Sequence, residues 1–349
     1  MAQAAYRPRI SVIVPVYNGE RTLDRCLGAL LNARADDLEV IVVNDGSTDG
    51  TLALAEAWSF RDGRCRIVHL PQNAGAAQAK NIGARQAGAD LLLFTDADIV
   101  VSTEVIDFIL EGLDDDQVHG VVGLLGQYCS YHNFASQFKN LWMHYTYARQ
   151  PREVGLFFTS VAAIRRELFM REGGFDDHYL GASITEDIEF GQRLRAKGYR
   201  VVLDKRATVE HLKHYTAAEV LRTDLLRARG LTLTWLRNHL LSDGADGQEA
   251  APRAHYASVP WFFGAGVGAL GLAVLFLLIG LFFGSPWLWL SLLAVLGALA
   301  LNLPFLAALA RWRGLRFGVQ SGGFLLLDLF ASGLGIALGM FDAVRGRRY

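Results

Sequence analysis

The feature that most constrains the fold is a long stretch without charge in the last third of the chain. From Val259 to Ala310 there is no Asp, Glu, Lys or Arg, although these residues make up 20% of the 349-residue sequence. About 20 apolar residues are enough to cross a bilayer, and the stretch divides at residues 284–286 (Gly-Ser-Pro) into Trp261–Phe283 and Trp287–Ala310. The pattern predicts two membrane spans. A helical hairpin buried inside a soluble protein is the alternative.

The arginines that follow these spans predict the orientation of the chain. Arg311, Arg313 and Arg316 come directly after the second span, and cytoplasmic loops are enriched in Lys and Arg. The preceding region is then cytosolic, which agrees with a start that lacks the apolar segment of a secretory signal. A third apolar stretch, Gly323–Phe341, contains Asp328 and precedes more arginines. A third full crossing would place those arginines outside, so this stretch spans, re-enters or lies at the interface.

Up to about residue 125 the sequence alternates between β-rich runs and helical patterns. The runs predicted as buried strands are Ile10–Val16, Leu38–Val43, Arg66–Leu70, Leu91–Thr95 and Val118–Leu125. The helical stretches between them are Glu20–Leu31, Thr51–Trp58 and Ala76–Ala87. This alternation predicts an α/β fold with a Rossmann-like, mostly parallel sheet. Ligands of such sheets bind at the carboxyl ends of the strands.

The region from Asn133 to about Ala218 is less regular. It contains a predicted aromatic-rich helix, Phe134–Tyr147, and a β-like run, Phe157–Ile164. An amphipathic helix is predicted at about Thr185–Lys197, and a basic amphipathic helix is predicted at Leu221–Leu241.

The strongest chemical signal is Asp96-Ala97-Asp98, directly after the apolar run that ends at Phe94. Two carboxylates at a strand end present the hard oxygen ligands that Mg²⁺ or Mn²⁺ prefers. Such an ion keeps open positions for phosphate oxygens and neutralises a diphosphate leaving group. An Asp-x-Asp pair alone is commonly a solvated loop. Its position at a strand end of this sheet favours a metal site.

Other strand ends carry further candidates for a nucleotide site. Asp45 follows the second strand, where a carboxylate could accept a hydrogen bond from a nucleobase. Pro15, Tyr17 and Asn18 close the first strand, where backbone and an aromatic ring could frame a base. Lys80 lies in a helix rich in small residues, either reaching a phosphate or lying on the surface. A plain turn with a helix cap is the alternative for Asp45.

Glu186 and Asp187 form a second carboxylate pair at the start of the predicted amphipathic helix. The structural interpretation is that Thr185 caps this helix and that the two acids favour its dipole. The functional interpretation is that one acid is a general base that takes a proton from an acceptor hydroxyl. Spacing alone does not choose between them.

Taken together, these segments resemble family 2 glycosyltransferases of the GT-A fold. The motifs are SVIVPVYNGERTLDRCLGALL, VVNDGSTDGT, NAGAAQAKNIGARQAGADLLLFTDADIVV, GGFDD and TEDIEFGQRLRAKGYRV, and they cover roughly residues 10–212. The resemblance implies an inverting, single-displacement transfer from a nucleotide-diphosphate sugar with a divalent cation. It matches Asp45 to the acid that contacts the base, and Asp96 and Asp98 to the diphosphate–metal motif. Asp187 matches the proposed base, with Glu186 beside it.

The resemblance also suggests a third metal ligand and a division of the chain. Related enzymes often place a metal-ligating histidine where His211 stands, whereas His214 is a weaker candidate. The expected domains are a GT-A catalytic domain at 1–242, a linker at 243–258 and a membrane region at 259–349. Within the catalytic domain, the nucleotide-sugar half covers about 8–125 and the acceptor half about 126–242.

One departure from the family narrows the expected activity. Processive members carry a QxxRW pattern after the TED motif, but the corresponding segment here reads LRTDLLRARG. With few apolar segments, all near one end, the chain is expected to move a single sugar to a lipid-linked or membrane-proximal acceptor. We expect a multi-pass protein of the cell (inner or plasma) membrane. The alternatives are a non-catalytic membrane scaffold and a nucleotidyltransferase.

Overall composition excludes some partners and cofactors. The formal net charge is −1, so no basic field favours nucleic acid. Cys26, Cys65 and Cys129 are widely separated and fit neither a CxxC ligand pair nor a disulfide framework. A reducing compartment is the simplest expectation.

Overall fold

The computed structural model describes residues 8–33, 37–176, 186–240 and 259–345. In these residues the strands are β1 Ile10–Val16, β2 Leu38–Asp45, β3 Cys65–Leu70, β4 Leu91–Phe94, β5 Ile99–Val101, β6 Gly120–Leu125, β7 Glu153–Val154, β8 Ala162–Arg165 and β9 Val201–His211. The helices are α1 Leu23–Leu31, α2 Thr51–Arg61, α3 Ala76–Gln86, α4 Val105–Leu113, α5 Phe134–Ala148, α6 Arg166–Arg171, α7 Glu186–Ala196, α8 Ala217–Leu240, α9 Trp261–Phe283, α10 Ser285–Leu301, α11 Leu303–Arg313 and α12 Leu315–Val344.

The described strands form one sheet in the order β3-β2-β1-β4-β8-β6-β9-β5, with β7 beside β9. The strands from β3 to β4 pair in parallel, as expected for strands joined by crossover helices. Beyond β4 the sheet is mixed, because β8 runs antiparallel to both β4 and β6. The predicted α/β class is confirmed, and the parallel part is its first half.

The predicted β-like run Phe157–Ile164 is only partly strand. The strand begins at Ala162, which lies opposite Phe94 at the end of β4. The residues before Ala162 are not part of the strand. Phe157 instead joins an aromatic cluster with Phe94, Phe175 and Phe190, with ring centroids 5.1–6.2 Å from its own. Tertiary packing of this ring therefore replaces strand pairing at the start of the run.

The chain forms two compact units. The sheet unit contains the described residues of 8–130 and 147–213, and the helical unit contains 131–146, 214–240 and 259–345. This division differs from the predicted boundary at residue 242, since α8 and most of α5 belong with the C-terminal helices. The reason lies in the aromatic face of α5, where Phe134 and Phe138 both pack edge-on against Phe324 of α12.

The C-terminal helices include two that are long and apolar enough to cross a membrane, α9 and α12. Helix α9 coincides with the first predicted span, and α12 contains the predicted third stretch. The predicted span Trp287–Ala310 is not one straight helix, because α10 and α11 are bent by 57° at Asn302. Pro304 stands in the first turn of α11 and lacks the N–H that would continue the helix. The described helices could therefore form a third span only if this bent pair counts as one.

Candidate active site

The acidic turn after β4 lies at the carboxyl edge of the sheet, as predicted. Thr95 continues alongside β1 by donating its N–H to the Ile13 carbonyl at 3.1 Å. The chain then turns through Asp96 and Asp98 into β5, and both acids are half-buried. The Asp96 carboxylate accepts a hydrogen bond from Ser160 Oγ at 2.9 Å.

Asp98 and His211 are brought together by the pairing of β5 with β9. Ile99 lies opposite His211 in this antiparallel pair, and Leu212 donates its N–H to the Asp98 carbonyl at 2.6 Å. As a result, Asp98 Oδ2 lies 3.1 Å from His211 Nε2. Burial opposes ionisation of Asp98, but the neighbouring His211 and Lys213 outweigh it and lower the pKa of Asp98. The pair therefore favours a carboxylate anion at this strand end.

The three predicted metal ligands do not converge in the described residues, where no group of three His, Cys, Asp or Glu side chains surrounds a common point. Asp98 and His211 meet, whereas the Asp96 carboxylate turns toward Ser160. The donor chemistry nevertheless fits, because two carboxylates and one imidazole at one edge are ligands that Mn²⁺ accepts.

Lys80 is a buried residue, so the alternative of a surface lysine is wrong, and its contact with phosphate stays a prediction. Only 2% of its surface is exposed. Its ammonium donates to Thr159 Oγ1 at 2.7 Å and lies 3.2 Å from Glu186 Oε1. Burial opposes the charge on Lys80, but the nearby carboxylates of Glu186, Asp96 and Asp187 outweigh it and raise the pKa of Lys80. Lys80 is therefore a fixed cation among three acids.

The adjacent acids at the start of α7 differ in their surroundings. Glu186 is 3% exposed and is held by Lys80 through Oε1, while its Oε2 is buried without a hydrogen-bond partner in the described structure. Asp187 is half-buried and accepts the Ile188 N–H at 2.8 Å. Thr185, the predicted cap of this helix, lies outside the described residues. Of the two acids, Asp187 is the more accessible to a ligand.

Asp45 is buried at the end of β2 and holds the turn before α3. Its two carboxylate oxygens accept the N–H groups of Ala74 at 2.7 Å and Gly75 at 3.0 Å. Gly75 has φ +91°, which glycine adopts without strain. Asp45 thus orients the loop that leads into the helix carrying Lys80.

The residues that close β1 form the adjoining part of this edge. Pro15 is half-buried in the strand, and Tyr17 exposes 51% of its surface. Asn18 has φ +52°, and its side-chain oxygen accepts the Thr48 N–H at 2.8 Å. The loop after β1 is thereby joined to the loop after β2, and the Tyr17 ring is exposed beside them.

Sequence reasoning missed two hydroxyl residues, Thr159 and Ser160, which bind Lys80 and Asp96 respectively. They lie three and two residues before the first residue of β8, which pairs with β4 and so brings them to the acidic turn. Two adjacent polar residues inside the apolar run Phe157–Ile164 were the feature of the sequence that could have indicated them. The weaker candidate His214 lies in the helical unit, where its ring packs edge-on against Tyr131 at 5.2 Å.

Comparison with known proteins identifies the class of the sheet unit. Residues 11–173 match the model of Glycosyl transferase family 2, so the chain carries a glycosyltransferase domain of this family. The resemblance seen in the sequence is confirmed over this range. Asp187 and His211 lie beyond it, and their roles depend on the geometry described above.

Among curated relatives, the chain is 31% identical to the glycosyltransferase GlyG of Streptococcus pneumoniae over 137 residues, 39% of this chain and 44% of that protein. It is 30% identical to the validoxylamine A glucosyltransferase of Streptomyces hygroscopicus subsp. limoneus over 237 residues, 57% of this chain and 51% of that protein. The chain thus spans about half the length of these relatives.

A solved structure extends the likeness of fold over most of the chain. The mannosyltransferase PcManGT of Pyrobaculum calidifontis, in complex with GDP-Man and Mn²⁺, aligns with a TM-score of 0.55 at 22% identity. The alignment covers 93% of this chain and 86% of that one. At this identity the likeness establishes the GT-A fold alone.

Proposed function

We propose that this protein is a membrane-anchored, metal-dependent, inverting glycosyltransferase. It moves a single sugar from a nucleotide-diphosphate sugar to a lipid-linked or membrane-proximal acceptor in glycan or glycolipid synthesis. The observation that carries the proposal is the acidic turn after β4, which lies within the range that matches family 2 glycosyltransferases and where Asp98 contacts His211.

Asp96, Asp98 and His211 are the residues that would hold Mg²⁺ or Mn²⁺. The ion would neutralise the negative charge of the diphosphate leaving group. Support comes from the lowered pKa of Asp98, which keeps this carboxylate ionised, and from its contact with an imidazole nitrogen. The complex of PcManGT with GDP-Man and Mn²⁺ is a precedent for this ligand pair on the same fold.

Asp187 is the proposed general base, taking the proton from the acceptor hydroxyl as that oxygen attacks the sugar carbon. Glu186 is buried against Lys80 and is less suited to meet an acceptor. Its proposed contribution is to position Asp187, because the Lys80–Glu186 pair ties the first residue of α7 to α3. Lys80 stays protonated because of its raised pKa, so it adds positive charge beside the acids.

The donor nucleotide would bind beside Pro15, Tyr17, Asn18 and Asp45. The exposed ring of Tyr17 offers a stacking surface for a base. Asp45 and Asn18 hold the two loops that frame this surface through their hydrogen bonds to backbone N–H groups. These bonds pre-arrange the pocket and limit the cost of binding.

The apolar C-terminal helices would attach the enzyme to the cell membrane as a multi-pass protein with a cytosolic catalytic unit. Large apolar side chains are widely exposed on α9 and α10, among them Leu281 at 70%, Phe282 at 84% and Trp289 at 65%. In water such a surface would aggregate. Attachment also concentrates lipid-linked acceptors near the site.

The test is a donor panel offered to the purified full chain in detergent with Mg²⁺ or Mn²⁺, with a lipid-phosphate acceptor. We expect release of a nucleoside diphosphate from one donor, and loss of that release with a chelator. Release of pyrophosphate from a nucleoside triphosphate would favour the nucleotidyltransferase instead. If the protein shows no turnover and no metal-dependent nucleotide binding, the non-catalytic scaffold is the alternative that is left.

Metal binding has a separate readout. Asp98→Asn and His211→Ala should each weaken Mn²⁺ binding, measured by calorimetry in the presence of the nucleoside diphosphate. Glu153→Gln, an exposed acid of the same unit, is the matched control. Unchanged Mn²⁺ affinity in both site variants would show that the ligand assignment is wrong.

A further inference from the structure

Helix α12 has two different faces along its whole length. Small and polar residues recur at helical spacing on the buried face: Ser321, Asp328, Ser332, Gly335, Gly339 and Asp342. Large apolar residues recur on the exposed face, each at least 36% exposed: Val319, Leu327, Phe330, Leu334, Leu338 and Phe341. Phe324, Leu325 and Leu329 are buried on the same side as these polar residues. Helix α12 therefore buries its small and polar residues inside the unit and leaves a row of large apolar residues exposed.

The polar face of α12 is covered by charged helices. Asp328 is 2% exposed and lies beside Asp224 of α8, which forms a buried ion pair with Lys139 of α5. Farther along, Asp342 pairs with Arg229 of α8. Helix α8 therefore contacts α12 both near its middle, at Asp328, and near its end, at Asp342.

Helices α8 and α12 run side by side in the same direction. The backbone of Gly335 packs against the carbonyl of Leu225, and that of Gly339 packs against the carbonyl of Arg229. At the level of the middle of α12, α8 presents exposed charge on its outer side, including Glu219 and Arg222. If α12 crossed the bilayer upright, these exposed charges would face hydrocarbon, where charged side chains are strongly disfavoured.

Helices α9 and α10 form an antiparallel hairpin with a closed and an open end. Gly280 packs against Leu288 near the turn, Ser291 donates to the Ala273 carbonyl at 2.7 Å, and Gly266 meets the Asn302 amide at the open end. Helix α12 meets the hairpin at that same open end. Leu329 approaches Gly266, and Gly333 approaches Val267. The middle of α12 is thus level with the beginning of α9.

We infer that α12 lies flat in the membrane interface, with its exposed apolar face in the lipid of the cytosolic leaflet, and that only the α9–α10 hairpin crosses the bilayer. This inference rests on the proposed membrane attachment. Helix α8 then lies on the aqueous side of α12, where its charges meet water. The described arginines near the two ends of α12, Arg311, Arg313, Arg316 and Arg345, then all fall on the cytosolic side, in agreement with the positive-inside rule.

Mean hydropathy does not distinguish this arrangement from a span. Helix α12 is long enough and apolar enough on average to cross a membrane. Its buried face, however, also carries Asp328 and Asp342, and these two side chains contact charged residues of α8. An interfacial helix has one apolar face in the lipid and one polar face toward water. The pairing of α12 with the charged helix α8 fits that position.

The first test maps the sides of the membrane with the full chain in sealed membrane vesicles of both orientations. Single exposed positions are changed to cysteine and labelled with a membrane-impermeant maleimide: Glu219→Cys, Ser285→Cys, Arg316→Cys and Arg345→Cys. The natural cysteines are buried, so the unmodified chain gives the background. We expect the α8 position and both ends of α12 to be labelled from one side, and Ser285→Cys from the other.

The outcomes separate this inference from the proposed function. Labelling of either end of α12 together with Ser285→Cys would overturn the flat arrangement and leave the proposed function intact. Labelling of all four positions from both sides would overturn the membrane attachment as well. A second measurement places spin labels at Val319, Phe330 and Phe341 and determines their depth in the bilayer. Equal depths support the flat helix, whereas a middle label at least twofold deeper than both ends overturns it.

Discussion

The two units of this protein distribute polarity in opposite ways. In the sheet unit the central strands are buried and apolar, as β1 and β2 illustrate, and most ion pairs lie at the surface. In the helical unit many large apolar side chains of α9, α10 and α12 are exposed, while Lys139, Asp224 and Asp328 are buried. The difference agrees with the proposed membrane attachment of the helical unit, because exposed apolar side chains are stable in lipid and exposed charges are stable in water.

Each unit also buries a lysine–carboxylate pair, and these two pairs differ in their neighbours. Lys80 and Glu186 lie beside the half-buried Asp96 and Asp187, at an edge where a substrate can approach. Lys139 and Asp224 lie among packed helices, with the second cation Arg227 close by. The first pair serves a proposed reaction and the second serves packing. Five predictions test the contrasts between the two units, from the largest expected effect to the smallest.

Asp187→Asn should lower the rate of sugar transfer by about 10²- to 10⁴-fold, the usual contribution of a general base. Binding of the donor nucleotide should survive, because Asp187 is proposed to meet the acceptor. Steady-state transfer assays and nucleotide titration measure the two effects. Glu189→Gln is the matched control on the same helix, where Glu189 pairs only with Arg193 in the described contacts. Loss of nucleotide binding in Asp187→Asn would mean that the base is assigned wrongly.

Lys80→Met should lower the free energy of unfolding by about 3–5 kcal/mol, because it leaves the Glu186 carboxylate buried without its cation. Chemical unfolding of the full chain in detergent measures this loss. The double variant Lys80→Met/Glu186→Gln should recover part of it.

Lys139→Met should cost less than Lys80→Met under the same conditions. Arg227 remains near Asp224 after Lys139 is removed, whereas Lys80 is surrounded by acids. Equal losses for the two variants would contradict the contrast between the two buried pairs.

Gly335→Ala should destabilise the helical unit by about 1–3 kcal/mol through overpacking. A Cβ atom at this position would lie 2.2 Å from the Leu225 carbonyl oxygen. Gly323→Ala is the matched control in the same helix, since a Cβ there meets no atom within 4 Å. It should be neutral or slightly stabilising because alanine favours helix. Thermal unfolding monitored by circular dichroism compares the two, and equal losses would argue against close packing of α8 and α12.

Arg200→Ala should change the free energy of unfolding by less than about 1 kcal/mol. Arg200 pairs with Glu153 at 2.9 Å, but both side chains are largely exposed, and exposed ion pairs contribute little. The same unfolding assay measures the effect at low and high salt. A loss of stability comparable to that of Lys80→Met would show that burial does not determine how much an ion pair stabilises the sheet unit.

Much of the first half of the fold could be predicted from the sequence because its signals are local. β1 has the predicted bounds, Ile10–Val16, and α3 differs from its prediction by one residue. The position of Asp96 and Asp98 at a strand end followed from the same pattern. The burial of Lys80 could not be predicted, because it depends on Thr159 and Glu186, which are 79 and 106 residues away.

By itself, the sequence determined the α/β class, the acidic turn after β4 and the apolar character of the C-terminal region, since these depend on short-range periodicity and composition. Only the tertiary structure decided that Asp98 meets His211, that Glu186 is tied to Lys80, and that the second apolar segment bends at Asn302. It also decided that α12 turns its polar face toward α8. Each of these results depends on contacts between residues that are distant in the chain. Hydropathy averaged along the chain does not depend on which face of a helix packs against another helix.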